Sequence, residues 1–160
     1  MTSLVLPDEI EFGGSWPEFE EVLYRAFCSD FLDRTARWRN RPVTIKREPL
    51  LNGKEDGFWH VVSQTGPSGR PDDRVPDLDR CRRLRWIRAL LDADEADVGV
   101  FPESRGKYRH YGICPPTYEH VVILREWPTT YQLLTAYCVD AEWKRNKYRA
   151  SAQRYRESGA

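Results

Sequence analysis

Three kinds of side chain in this sequence have the chemistry to work together on a phosphodiester. The first is His60, in the run "GFWHVVSQ" from Gly57 to Gln64, one of only three histidines in the chain. Imidazole titrates nearest neutrality of all side chains, so it is the first choice for moving a proton near pH 7, with a structural hydrogen bond as the alternative role. The second is the pair Thr135 and Tyr137 in "YQLLTAYCVD". A hydroxyl and a phenol two residues apart on a strand share one face with Tyr131 and Leu133 and can both donate to a phosphate oxygen; packing with satisfied hydroxyls is the alternative. The third is the arginine set Arg82, Arg85 and Arg88 in "DLDRCRRLRWIRALLD". Planar guanidinium forks match the oxygens over which a transition state at phosphorus spreads its charge. Arg82 and Arg85 are the best placed, and Lys46, Arg47, Arg105, Lys107 and Arg109 are further cations for the same task. Nothing in the spacing of His110 or His120 ties either to His60.

The elements that would position these groups are legible from pattern. Ser15-Trp16-Pro17-Glu18 has the form of a capping box, and Phe19, Val22, Leu23, Ala26, Phe27 and Phe31 behind it recur at helical steps, predicting an amphipathic first helix. Thr35 to Pro42 reads as a basic connector. Val43 to Arg47 and Phe58 to Ser63 are rich in β-branched and aromatic residues and read as strands, with Phe58, His60 and Val62 on one face; Asn52-Gly53 and Asp56-Gly57 between them are hairpin-turn dipeptides. Thr65 to Pro76 carries the Pro and Gly of a loop. Asp77 can cap a helix to about Asp92 whose Leu84, Ile87 and Leu91 face inward, a scheme that Arg80 does not fit neatly. Strands follow over Val98 to Phe101, Tyr108 to Ile113, Glu119 to Glu126 and Tyr131 to Val139. The unbroken run Val121 to Leu124 marks the third of them as covered on both faces. Asp140 then opens a basic terminal helix with Trp143, Tyr148, Ala152 and Tyr155 as its docking stripe. The expectation is an α+β fold, a largely antiparallel sheet packed against N-terminal, middle and C-terminal helices. It forms one domain over residues 1 to 160, with a core from about 15 to 157.

Composition narrows the function. The 25 basic and 25 acidic residues cancel, but they are segregated: residues 1–33 hold eight acids and one base, residues 34–54 seven bases and one acid, and residues 141–160 six bases and two acids. Two basic segments around a folded middle suit a polyanion, and Lys144 and Lys147 of the terminal helix join the candidate backbone contacts. The acidic stretch from Asp8 to Glu21 would cover such a basic groove or simply be solvated. No apolar run reaches the ~20 residues of a membrane span and no secretory leader is evident, so the expected address is the cytoplasm, with no membrane partner. Cys28, Cys81, Cys114 and Cys138 are scattered without metal-ligand spacing, which predicts buried reduced thiols and no metal or other cofactor. There is no phosphate-binding glycine loop, dinucleotide fingerprint, zinc-protease helix or serine-hydrolase elbow.

A small α+β domain with N-terminal helices, a His entering a strand, basic residues midway and a closing strand ending in "LLTAY" resembles the barnase/EndoU/colicin/RelE-like superfamily of metal-independent ribonucleases, toxins and phage-borne members included. The likeness spans about residues 15 to 140 and rests on His60, Thr135 and Tyr137. It implies RNA as partner, possible control by a protein inhibitor or antitoxin, and cleavage by attack of the 2′-hydroxyl on the adjacent phosphate. His60 would be general base or acid, Arg82 and Arg85 would stabilise the phosphate, and Thr135 and Tyr137 would position it. Exposed Trp38 or Tyr148 would stack bases. Two other readings stand beside it, the first on the same arginines and His60, the second on the acidic N-terminal helix and a Trp-rich surface. One is a nucleic-acid-binding module without catalysis, and the other a phage-type accessory protein acting through protein contacts. The oligomeric state is not encoded in any pattern.

Overall fold

Ser15 starts helix α1 (Trp16–Phe27) as its pattern predicts, its Oγ accepting from the Glu18 backbone N–H at 3.4 Å in the computed structural model, which describes residues 3–159. The remaining ends of the expected domain, residues 1, 2 and 160, lie outside the described residues. Phe19, Leu23 and Phe27 are buried on the inner face of α1, whereas Val22 turns to solvent. The helix runs on into a π-helical turn, Cys28–Leu32, that buries Phe31.

The basic stretch after it is not a connector. It forms a hairpin of β1 (Ala36–Trp38) and β2 (Arg41–Ile45), turned through Arg39 and Asn40 with φ of 49° and 62°. Trp38 packs inward at 3% exposure, which removes it as a base-stacking platform. Asn52 and Gly53 also take positive φ, closing a small turn between Leu51 and Lys54.

The largest departure from expectation follows. Residues 56–62 form a helix, α2 (Asp56–Val62), and not a strand. Phe58, Val61 and Val62 recur at three- and four-residue steps and are buried with Trp59, leaving His60 as the side chain at the rim. A short apolar run bounded by turn residues has the composition of a buried strand and of a buried helix alike, and here packing decides. Gly57 makes the packing possible: its N–H donates to the Lys46 carbonyl at 2.8 Å, and a Cβ there would lie 2.5 Å from Ile45 Cγ2. Within the expected loop, β3 (Ser63–Thr65) and β4 (Arg74–Pro76) pair as a two-stranded antiparallel ribbon.

Asp77 caps helix α3 (Leu78–Arg82), accepting from the N–H groups of Asp79 and Arg80. The predicted single helix breaks at Arg83 and resumes as α4 (Leu84–Asp92). Next come β5 (Gly99–Arg105), β6 (Tyr108–Cys114), β7 (His120–Glu126), β8 (Tyr131–Cys138) and α5 (Glu142–Glu157). The residue at the start of α5 is Ala141, without a side-chain cap, so Asp140 does not serve as one.

Six strands form one sheet in the order β1-β2-β8-β7-β6-β5, antiparallel throughout except that β2 lies parallel to β8. The fold is α+β, as expected. Val122 and Leu124 of β7 face a core shared with α1, α2 and α4, and Val121 and Ile123 face a second core with Tyr148 and Ala152 of α5, so the apolar run of β7 is covered on both sides. Tyr148 is thereby buried and unavailable for stacking, while Trp143 leaves the docking stripe at 69% exposure. The four cysteines are free thiols; Cys81 and Cys114 are buried and Cys28 and Cys138 only half-buried.

Candidate functional site

A bulge decides what β8 presents. Leu133 pairs with Leu124 but Thr135 with Ile123, so Leu134 is the extra residue and the facing of side chains switches across it. Tyr131 and Leu133 point to the core beneath α1, α2 and α4, while Thr135 and Tyr137 lie on the face that α5 partly covers. The expected common face of these four residues therefore does not exist. β2 pairs only with residues 131–133 of β8, and beyond that point the edge of β8 meets α2, where Thr135 Oγ1 donates to the His60 carbonyl at 2.9 Å.

His60 and Thr135 line one groove of about 510 Å³ together with Lys46, Asp56, Arg125, Trp127 and Gln132. The His60 side chain is 40% exposed, and its Nε2 lies 3.3 Å from Oδ2 of Asp56, one helical turn earlier and only 13% exposed. Lys46 Nζ approaches the same carboxylate oxygen at 3.4 Å. Burial, then the charge of Arg74, hold the imidazole below its ordinary pKa; Asp56 opposes them, and Lys46 and Arg80 add to the lowering. These influences favour the neutral form of the His60 imidazole, which is open on one side and flanked by a carboxylate on the other.

Two arginines that pattern did not single out hold this end of α2. Arg80 Nη1 donates to the carbonyls of His60 and Ser63 at 3.1 and 2.7 Å and reaches Thr135 Oγ1 at 3.5 Å. Arg74 donates to the Ser63 carbonyl at 2.8 Å and to Ser63 Oγ at 3.0 Å. They satisfy carbonyls that a helix end leaves without partners, and place positive charge at the negative pole of the helix. The misfit of Arg80 on the predicted helical wheel was the one available signal, because a guanidinium near the apolar side needs a buried acceptor.

The other expected members are elsewhere. Arg82 pairs with Asp79 at 3.3 Å and lines a separate hollow with residues 6–11; Arg85 lines another with Ile10, Arg25 and Asp30. Arg88 is tied to Asp92 at 3.0 Å and to the Asp30 carbonyl. Tyr137 Oη hydrogen-bonds Tyr148 Oη at 2.7 Å, so its phenol is engaged with α5. Of the expected backbone contacts, Lys46 is in the groove. Arg47 and Lys147 are exposed outside it, Arg109 lies over the Tyr111 ring at 5.5 Å, and Lys144 Nζ lies 4.9 Å from the Tyr137 ring. The acidic N-terminal stretch does not cover the groove. Its backbone docks on α3 and α4, through Ile10 N to the Arg82 carbonyl and Trp86 Nε1 to the Pro7 carbonyl, each 2.8 Å.

Register adds a feature that no local pattern could supply. Glu103 pairs with His110, His110 with Arg125, Arg125 with Gln132 and Gln132 with Thr44, so these five side chains form a polar row across one face of the sheet. Two of its members, Arg125 and Gln132, line the groove. Among the described residues no cluster of three His, Cys, Asp or Glu side chains has the geometry of a metal site, and no helix is long and apolar enough to cross a membrane. No family model, curated protein or solved structure shows significant similarity to the chain.

Proposed function

We propose that the groove binds single-stranded RNA and that the chain cleaves it as a metal-independent endoribonuclease of the kind its sequence resembles. The observation that carries this reading is the half-exposed His60, set beside Asp56, Lys46 and Thr135 in a groove that also offers an aromatic ring, Trp127. His60, its Nε2 lying 3.3 Å from Asp56 Oδ2, accepts the 2′-hydroxyl proton on Nδ1. The 2′-oxygen bonds to phosphorus, the bond from phosphorus to the 5′-oxygen breaks, and that oxygen takes a proton from the Lys46 ammonium. The products are a 2′,3′-cyclic phosphate and a free 5′-hydroxyl, and Lys46 regains its proton from the imidazolium through solvent. Charge on the phosphorane is met by Lys46, a cation lining the groove beside His60.

A second reading keeps the groove without the chemistry. It is favoured by one observation: Arg80 Nη1 and the Thr135 hydroxyl are engaged with backbone carbonyls in the free protein. Incubation with mixed RNA in chelator separates the two. The nuclease yields fragments ending in cyclic phosphate, and His60→Ala, with the fold retained, loses at least about 100-fold in rate, the usual scale for a general acid or base. Salt-sensitive binding without scission returns the second reading.

A further inference from the structure

The polar row delivers to the groove three donor nitrogens that have no acceptor among the described residues. Arg125 Nε donates to His110 Nε2 at 3.3 Å, and its guanidinium carbon lies 4.6 Å from the Tyr108 ring centre, which together fix the plane of the fork. Neither of its two terminal nitrogens has a protein acceptor among the described residues. Gln132 is oriented by Trp127. The indole N–H can only donate, so the amide oxygen must face it, as it does at 3.2 Å, and the amide NH₂ is left turned outward. Trp127 is itself held by a T-shaped contact with Tyr108 at 5.3 Å, by its backbone N–H donating to the Thr130 carbonyl, and by Arg41 on its own carbonyl at 3.1 Å.

We infer that Arg125, Gln132 and Trp127 form a base-recognition subsite for guanine, one wall of the same groove that holds His60. The inference rests on the RNA-binding reading above and names what that groove selects. Guanine presents O6 and N7 as adjacent acceptors, the edge that an arginine fork contacts bidentately. Adenine puts an N6 amino donor where O6 would be, opposite donors that cannot accept from it. The Gln132 NH₂ adds a third donor toward the same acceptor-rich edge, and Trp127 supplies a ring for stacking. Because Arg125 and Trp127 are fixed before any ligand arrives, little side-chain ordering opposes binding.

The test is calorimetric titration of the intact protein with 3′-GMP, 3′-AMP, 3′-CMP and 3′-UMP, beside cleavage mapping on mixed RNA. The expected result is 3′-GMP binding tighter than 3′-AMP by about tenfold or more. Arg125→Lys, which keeps the charge and loses the fork, removes that preference. Gln132→Glu, which keeps the Trp127 bond and puts an acceptor where the donor was, also removes it and covers the case in which the Arg125 variant does not fold. Equal affinity for the four nucleotides, or a preference that survives Gln132→Glu, overturns the guanine subsite even if RNA is cut. A guanine preference in a protein that cuts no RNA supports the subsite and overturns only the nuclease reading.

Discussion

His60 is held by opposing charges, and its protonation should report each of them. Its pKa is depressed, so the base form required for attack persists to a pH below the ordinary histidine value, and the rate should rise through an acid limb lying below about 6.5 and level off toward neutrality. Asp56 raises that pKa and Lys46 lowers it. Asp56→Asn should accordingly move the limb to lower pH and Lys46→Ala to higher pH. The pH dependence of kcat/KM on a short RNA checks both signs, and a limb indifferent to either substitution would separate the groove from the catalysis. The residue type and its titration were legible in the sequence. The carboxylate partner was not, since Asp56 faces His60 only because residues 56–62 coil into a helix, where four residues make one turn.

At the scale of elements, α2 depends on two contacts outside itself. Gly57 lets it approach β2, and an alanine Cβ there would press on Ile45 Cγ2 and sit 3.2 Å from the Lys46 carbonyl oxygen. Gly57→Ala should destabilise the fold by about 1–3 kcal/mol in chemical denaturation, the usual cost of overpacking. Arg80 holds the other end, and Arg80→Met, which keeps the aliphatic stem, removes one charged donor from each of the His60 and Ser63 carbonyls, which keep Thr135 Oγ1 and Arg74 Nη2 respectively. A loss of about 1–3 kcal/mol is expected, and a stability unchanged within error would show that water replaces the guanidinium. The caps at Ser15 and Asp77 and the Asn52-Gly53 turn were readable because each is settled by neighbours in the chain. The bulge at Leu134 was not, because it exists only relative to β7.

For the whole molecule, the buried histidines govern behaviour in acid. His120 is 1% exposed, its Nε2 has no hydrogen-bond partner among the described residues, and burial followed by the charges of Arg83 and Arg80 pushes its pKa down to about 3. A histidine depressed in the folded state binds its proton more readily when unfolded, so the stability it protects is complete above the unfolded pKa and drains as pH falls toward the folded one. Between about pH 6.5 and 3 His120 alone should lower unfolding free energy by about 1.4 kcal/mol per pH unit, and His110, also depressed by burial, acts in the same direction. His120→Leu should flatten the curve of urea midpoint against pH over that range. A curve that keeps its slope would place the acid sensitivity in other groups.

What the sequence by itself determined is what short-range physics controls. The caps at Ser15 and Asp77, the Asn52-Gly53 turn, the apolar stripe of α1, the doubly covered strand β7 and the α+β class all follow from residues close together in the chain. Tertiary structure alone decided the rest. A six-residue apolar run is compatible with helix or strand until a sheet packs against it, a one-residue bulge reverses every side chain beyond it, and cross-strand register brings residues 103, 110, 125 and 132 into one row. Burial and pairing between distant segments fix those outcomes, and no window along the chain contains both partners.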